Sequence, residues 1–478
     1  MPKGFSMSKA RVGPAGPVFT TTLCALALAG LSVPALAAGI ASPDSIAATS
    51  EADRAWLATL TARPLADLAS PLRSAIDGLP VVGEGREGVT VAEAQTAQAR
   101  SRLFPVLGVD LQTADTLARD FQRPSTIFES LVPRRRTDAI GSINQLLVDW
   151  GATSARIRAG RLGEDAAEAN LQQARLDAGV ALIGAWHEAI AARSALALGE
   201  AHVERLQRIA EGVKARTAAG ADSAADEARA TAAAAQGRAR VAELRRREAA
   251  ARARLVELFG PNPPQPARAA LPADDPGTAD LPDVKAARAD AESRRQAARA
   301  AGADRMPRFD ARVTGSSYDL LRGGRPDYDV RGVLTMTARF STGGAEAARV
   351  AELNASARRA RYLAQRLELE NARELAEAEA QAAALAEALP AQHSAFADAT
   401  RARDLFAVRF SAARGTLFDL LTAEREQFEA GQQLVEAELR LDVARWLLLA
   451  RRGTLLAQID GSASRGATSS PARPLPGR

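Results

Sequence analysis

The chain repeats itself. The stretch GATSARI, Gly151 to Ile157, returns as GAEAARV, Gly344 to Val350, with four of seven residues unchanged and an Ile/Val exchange at the end. Gly344 lies 193 positions after Gly151, and at that offset the register holds without a gap to Gly260 and Gly453. Arg208 falls on Arg401, Arg216 on Arg409, Asp226 on Asp419, Glu243 on Glu436 and Leu255 on Leu448. Biased composition produces scattered matches, but not matched glycines at both ends with a matched aspartate between. The sequence is read as one supersecondary unit built twice, over 86–260 and 285–453.

The repeated unit changes period along its length. From Gly151 to about Arg216, and from Glu227 to about Phe259, alanine, leucine and charged residues run almost without Pro or Gly, which predicts helix. The second copy behaves alike over Ala345–Phe410 and Leu417–Arg452, apart from Pro390, which predicts a kink. A run of about 65 residues makes a rod roughly 100 Å long, stable only when paired. Aromatics at 4% against 47% apolar residues suit closely packed, alanine-rich rods better than a bulky globular core.

The turns between the rods carry matching signals. Ser223-x-x-Asp226 and Thr416-x-x-Asp419 both fit a capping box, in which a hydroxyl accepts the amide of the third helical residue and the acid reaches back. Each follows a tight turn, around Gly220 and Arg414-Gly415 respectively. Two helical hairpins with capped tips result.

Before each hairpin the period is near two. In YDVRGVLTMTARF, Tyr328, Val330, Gly332, Leu334, Met336, Ala338 and Phe340 share one face, while Asp329, Arg331, Thr335, Thr337 and Arg339 share the other, with Val333 intruding. RFDARVTGSSYDL alternates likewise upstream, and PVLGVDLQTADTL and AIGSINQLLVDW hold the same places in the first copy. Each copy thus offers a strand pair before its helical pair. Such two-faced strands suit a barrel in a bilayer or a soluble sheet lying on helices. Four strands cannot close a barrel, and open edges are not tolerated in lipid, so the first alternative requires oligomers.

The flanks set the address. Lys3, Lys9 and Arg11, an apolar run from about Val18 to Val33 and the Ala35-Leu36-Ala37 pattern read as an export signal over 1–37. Cys24, the sole cysteine, lies inside it, so a mature chain beginning at Ala38 forms no disulfide or thiolate metal site; lipidation of Cys24 is the rival reading, disfavoured by Leu23. Removing those three cations takes the net charge from +5 to +2, so no nucleic-acid partner is expected. Residues 38–85 carry no assigned role. Residues 261–284 are dense in proline and read as a linker, and 454–478 read as a disordered tail.

Enzymatic signals are missing. His187, His202 and His393 all fall in helix-like stretches, without HExxH or a paired carboxylate at a turn, and Gly323-Gly324 reads as a turn between strands rather than a phosphate cradle. No enzyme activity, cofactor or metal is expected.

The order of strand pair, long hairpin, proline-rich linker, strand pair and long hairpin resembles the outer-membrane efflux and secretion channels typified by TolC. Specific likenesses are Phe104-Pro105 and Met306-Pro307 opening the strands, Asp149-Trp150-Gly151 and Phe340-x-x-Gly343-Gly344 closing them, and the two tip motifs. The resemblance implies a mainly α, mixed fold assembled as a homotrimer, with a 12-stranded β-barrel in outer-membrane lipid continued by an α-helical periplasmic tunnel. It also implies a passive conduit working with a periplasmic adaptor and an inner-membrane transporter, in a tripartite efflux pump or a type I secretion system. Around the tips it assigns adaptor contact to Gly220, Ser223, Asp226, Arg414, Gly415 and Thr416, and a pore constriction to Asp419 and Thr422. Here the chain departs from the family's D-x-x-D, since Thr422 takes the second acid's place. Phe410 and Gly415 stand where some members carry a Tyr and an Arg that lock the closed state, leaving Arg414 as the candidate substitute. A periplasmic coiled-coil adaptor or structural protein of an export system is the alternative; an adaptor explains the hairpins but leaves the two-faced strands without purpose.

Overall fold

A computed structural model describes residues 56–57, 60, 63–64, 66–118, 135–270, 277–318, 320, 327–338 and 342–461. The expected export signal with Cys24, the expected turn at Gly323-Gly324 and Phe340 lie outside the described residues. In chain order the elements are β1 (Arg63–Pro64), α1 (Ala66–Gly78), α2 (Pro80–Ser101), β2 (Val106–Asp115), β3 (Arg135–Val148), α3 (Ala152–Ala218) and α4 (Ala224–Phe259). Then follow β4 (Ala269–Ala270), α5 (Pro282–Ala303), β5 (Arg308–Tyr318), β6 (Asp327–Thr337), α6 (Ala345–Ser411), α7 (Leu417–Arg451) and α8 (Leu455–Asp460).

The long rods form where the period changes. Helices α3 and α6 are each 67 residues, and α6 stays helical through Pro390, whose missing N–H removes one intrahelical bond without ending the helix. Their hairpin partners α4 and α7 end at the matched glycines. Gly453 has φ +72°, and a side chain there would come 2.8 Å from the Ala279 carbonyl oxygen, so close approach as well as backbone conformation demands glycine.

Two helices were not read from the sequence. Helices α2 and α5, 22 residues each, pack on the rods and start alike: extended Leu79 and Leu281 are the N-caps, each followed by proline at the start of the helix. Proline suits that position because its missing N–H is one that a helix start leaves unpaired anyway. The repeat therefore begins near residue 80 rather than 86, and the linker ends at Leu281 rather than 284. Pro282 lies 202 positions after Pro80, whereas Ala345 lies 193 after Ala152. The second copy is thus nine residues shorter in between, and its strand connection, 319–326 against 116–134, is the shorter one.

The four long strands form one antiparallel sheet in the order β2-β3-β5-β6, so β3 and β5 join the two copies. Directly opposed residues of an antiparallel pair point to the same side. The register therefore puts Leu107 with Ile143 and Val313, and Met336 with Phe309, on one face, while Gln112 with Asp138, Asn144 with Arg312 and Thr314 with Arg331 take the other. Val333, paired with Arg312, sits on the polar face, and Ile140 joins it there opposite Asp110. The apolar face is bare: Val109 is 84% exposed and Tyr328 82%. The outer edges of β2 and β6 have no strand partner among the described residues.

The main core lies at the waist of the rods. Trp56, Leu72, Ile76, Leu182, Trp446 and Leu455 are among its most deeply buried side chains. The segment from 56 and the linker wrap this waist together. β1 pairs with β4 in parallel, the Trp186 indole donates to the Ala267 carbonyl at 2.8 Å, and Arg268 bridges Asp442 at 2.6 Å and Glu438 at 2.9 Å while donating to the Leu60 carbonyl. Residues 455–460, inside the tail expected from 454, are helical instead. Leu455 and Ile459 are buried, the Arg73 guanidinium donates to the Ile459 carbonyl at 2.6 Å, and the apolar spacing of LLAQID docks α8 on α1 and α3.

Candidate functional site

Both hairpins turn through the same bonds. At the first tip the Ala221 amide donates to the Arg216 carbonyl at 2.8 Å and the Gly220 amide to the Thr217 carbonyl; at the second, the Arg414 amide donates to the Arg409 carbonyl at 2.9 Å and the Ala413 amide to the Phe410 carbonyl. Both are Schellman closures that satisfy the last carbonyls of a helix. They demand one left-handed residue, and Gly220 supplies it at φ +75°. At the equivalent place 193 positions on stands Ala413, at φ 56°, where a Cβ costs on the order of 1 kcal/mol.

The next helix then starts on its cap. Ser223 Oγ accepts the Asp226 amide at 3.1 Å and donates to the Asp226 carboxylate at 2.7 Å. Thr416 Oγ1 accepts the Asp419 amide at 3.1 Å. Gly415 fits because a Cβ would meet the Phe410 amide nitrogen at 3.2 Å. Asp419 and Thr422 are half-buried on the first turns of α7, while Arg414 is exposed and its side chain makes no ion pair among the described residues.

Sequence reasoning missed the side chains that tie the two tips together. Arg216 pairs with Asp222 at 2.8 Å, donates to the Phe410 carbonyl at 3.4 Å and lies 4.9 Å over the Phe410 ring. A small apolar cluster of Ile209, Val213, Phe410, Leu417 and Leu420 fills the space above it. The offset had paired Arg216 with Arg409, but Arg409 stays on its own hairpin, over Phe406.

Two turns further up the rods a buried polar cluster joins α3 to α7. Arg205 Nε donates to Glu424 at 2.9 Å and its Nη2 to Gln427 Oε1 at 2.8 Å; His202 stacks on Phe428 with ring centroids 4.6 Å apart and places Nδ1 3.6 Å from Glu424. Burial by itself would raise the Glu424 pKa. The nearby His202, then the charge and hydrogen bond of Arg205 and the charge of Arg403, outweigh burial and hold it at about 2. At 2.9 Å the Arg205 bond is the tight one, the His202 contact being longer than a normal hydrogen bond.

The other histidines are also built into the helix packing. His187 is buried with Nδ1 2.8 Å from the Ile183 carbonyl, and burial lowers its pKa; His393 meets Glu438 at 2.8 Å. Among the described residues, no group of three or more His, Cys, Asp and Glu is placed to hold a metal, and no helix is long and apolar enough to cross a membrane.

A two-faced sheet with bare apolar side chains, capping two long hairpins built by duplication, narrows the possibilities to few families. The model of the family described as outer membrane efflux protein matches residues 73–261 and 279–472. The chain belongs to the outer membrane efflux protein family. Its place is the outer membrane and its work is that of an efflux channel. No curated protein sequence matches it at a significant level. Among solved structures it is similar to the outer membrane protein VceC of Vibrio cholerae, at 18% identity and a TM-score of 0.70, covering 81% of this chain and 96% of that one. It is similar also to the CmeC outer membrane channel of Campylobacter jejuni, at 15% identity, TM-score 0.71 and 80% and 86% coverage. The open-state MtrE outer membrane channel of Neisseria gonorrhoeae matches at 20% identity, TM-score 0.66 and 81% and 89% coverage. At these identities the likeness concerns the fold, including the pairing of sheet and hairpins.

Proposed function

We propose that three copies of this efflux channel assemble through their sheet edges and hairpins into one conduit, with twelve strands in the outer membrane and six hairpins reaching into the periplasm. The observation that carries the reading is a four-stranded sheet with one bare apolar face, one charged face and, among the described residues, both edges open. In hydrocarbon each unpaired backbone group costs several kcal/mol, so the edges must meet other strands. Four strands are too few to close alone, and the open edges β2 and β6 offer themselves to neighbouring copies. An adaptor has no use for such a face.

The hairpins support the same count. Within the chain, α3 of the first copy packs on α7 of the second. The contact related to it by the duplication, α6 on α4, is not comparably made in one chain, which leaves matching faces for a neighbour. Transport is passive in this arrangement, with energy supplied by an inner-membrane transporter through a periplasmic adaptor. The two tips meet the adaptor, and Asp419 and Thr422 face the narrowest part of the pore. Efflux of small molecules is the reading favoured over protein secretion, on the family's description.

The purified protein should need detergent, run in the cold in SDS at three times its chain mass, and give discrete conductance steps in planar bilayers. A monomer stable in plain buffer, silent in bilayers, would end this reading. Charge reversal at Asp419 should change conductance or adaptor coupling; no change in either would remove it from the pore.

A further inference from the structure

Trp150, just past the end of β3, holds a backbone conformation that its side chain disfavours. Its φ of 54° lies in the left-handed region, which bulky residues rarely enter. The equivalent position in the second copy is Gly343, and that glycine does not adopt it, so the repeated turn does not require it. What accompanies the strain is the indole. Its Nε1–H donates to the Pro307 carbonyl at 2.6 Å, while the residue stays 60% exposed. The one polar group of the ring is thus satisfied and the rest is presented outward. Strain kept at an exposed ring points to a use for that ring.

The topology sets Trp150 among the feet of three neighbouring strands. β2 starts, β3 ends and β5 starts at the same end of the sheet, the end that carries the rods. Neighbouring strands lie about 4.8 Å apart, so the feet of β2 and β5 are about 10 Å apart with that of β3 between them. Arg102-Leu103-Phe104-Pro105 leads into β2, and Arg305-Met306-Pro307 leads into β5. Leu103, Phe104 and Met306 are each more than half exposed and continue the bare apolar face of the sheet down to this level. Arg102 and Arg305 are exposed beside them. The acids close by are already engaged: Asp149 accepts the Gly151 and Thr153 amides, Asp304 pairs with Arg156, and Asp310 pairs with Arg308. Neither Arg102 nor Arg305 makes an ion pair among the described residues.

An indole with a satisfied N–H, placed where an apolar face gives way to uncompensated cations, suits the headgroup level of a bilayer. We propose that Arg102 and Arg305, on either side of Trp150, bind the phosphate of an acidic diacyl phospholipid in the periplasmic leaflet, with the indole against the upper part of its chains. A headgroup of net negative charge supplies what the two arginines lack, whereas a zwitterionic one cancels its own phosphate. This inference rests on the membrane-inserted sheet of the previous section and adds a lipid preference at its periplasmic edge.

Tryptophan fluorescence tests it, because the other three tryptophans, Trp56, Trp186 and Trp446, are no more than 3% exposed. The whole protein is reconstituted in phosphatidylcholine vesicles in which a fixed share of the lipid carries brominated chains, either as phosphatidylglycerol or as phosphatidylcholine. Bromine quenches the rings that it touches. Trp150 should favour the brominated phosphatidylglycerol about fivefold or more, the factor that one arginine near an acidic headgroup contributes. Raising the salt concentration should narrow that preference. R102Q/R305Q should bring the ratio close to one with conductance unchanged, and R102K/R305K, which keeps both charges, should retain most of it. Equal quenching by the two lipids, a preference untouched in R102Q/R305Q, or its loss in R102K/R305K would each overturn the proposal. So would competition by soluble glycerol phosphate, which would assign the arginines to a free phosphate, and so would absence of quenching by either lipid in a protein that conducts. A protein without conductance before any substitution would instead overturn the conduit itself.

Discussion

Helices α3 and α6 hold equivalent places in the two copies and have the same 67-residue length, yet their surroundings differ. Twenty-five residues of α3 are buried against seven of α6, because α3 is packed by α2, α4, α5 and α7 while α6 meets only α5 and α7 closely. The sequences follow suit. Where α3 carries Leu198, Val203 and Ile209 inward, α6 leaves Tyr362, Leu369 and Leu405 more than half exposed. Duplication copied a rod, and divergence then fitted one copy for the interior of a chain and the other for a surface that a neighbour covers.

The comparison can be broken most sharply at the buried cluster of Arg205, Glu424 and Gln427. Glu424→Ala removes the carboxylate that meets the buried Arg205 guanidinium and should cost about 3–5 kcal/mol, read from thermal unfolding in detergent. The change at its counterpart, Thr231→Ala, should stay within about 0.5 kcal/mol. Equal losses at the two sites would mean that the copies are not distinguished in this way. Next in size, Leu198→Ala should destabilise each chain by about 2–5 kcal/mol. Leu405→Ala, exposed on α6, should leave chain unfolding nearly unchanged and instead reduce the SDS-resistant trimer seen on cold gels.

Acid sharpens the same contrast. The Glu424 carboxylate titrates at about 2 in the fold, below the ordinary value near 4.3 expected when unfolded. A depressed carboxylate contributes stability that is complete above the unfolded value and disappears as pH falls through the folded one. The stability difference between the unmodified protein and Glu424→Gln should therefore be constant above about pH 5 and shrink between roughly pH 4 and 2. A difference that persisted at pH 2 would show that the hydrogen bonds rather than the charge matter.

The smallest effects separate the two tips. Thr416→Ala and Ser223→Ala should each cost about 1 kcal/mol through lost caps. Gly220→Ala should lower stability by about 1 kcal/mol, whereas Ala413→Gly should not lower it, since only the second relieves a left-handed alanine. Urea unfolding of the four variants side by side gives the comparison directly.

Much of this architecture was legible because it depends on local rules. The period of two in DYDVRGVLTMT, the unbroken helical runs after Gly151 and Gly344 and the hydroxyl–acid spacing at 223–226 and 416–419 each determine their structure within a few residues. The start of α2 was hidden by the glycines of PVVGEGREGV, which weaken helix propensity, and α5 began inside a stretch that proline made look like linker. The order within α8 was hidden too, since a short helix of ordinary composition is fixed only by burying Leu455 and Ile459.

What remained for the tertiary structure was every relation between distant residues. Arg205 and Glu424 stand 219 positions apart, and neither carries a local sign of a partner. The sequence alone determined that one unit is built twice, where its strands and rods lie and how its tips are capped, because those properties arise from backbone periodicity and short-range bonds. Only the packed chain decided which copy is interior, which buried charges meet and which faces are left for another subunit. Those outcomes depend on desolvation, which a side chain acquires from whatever the fold places against it.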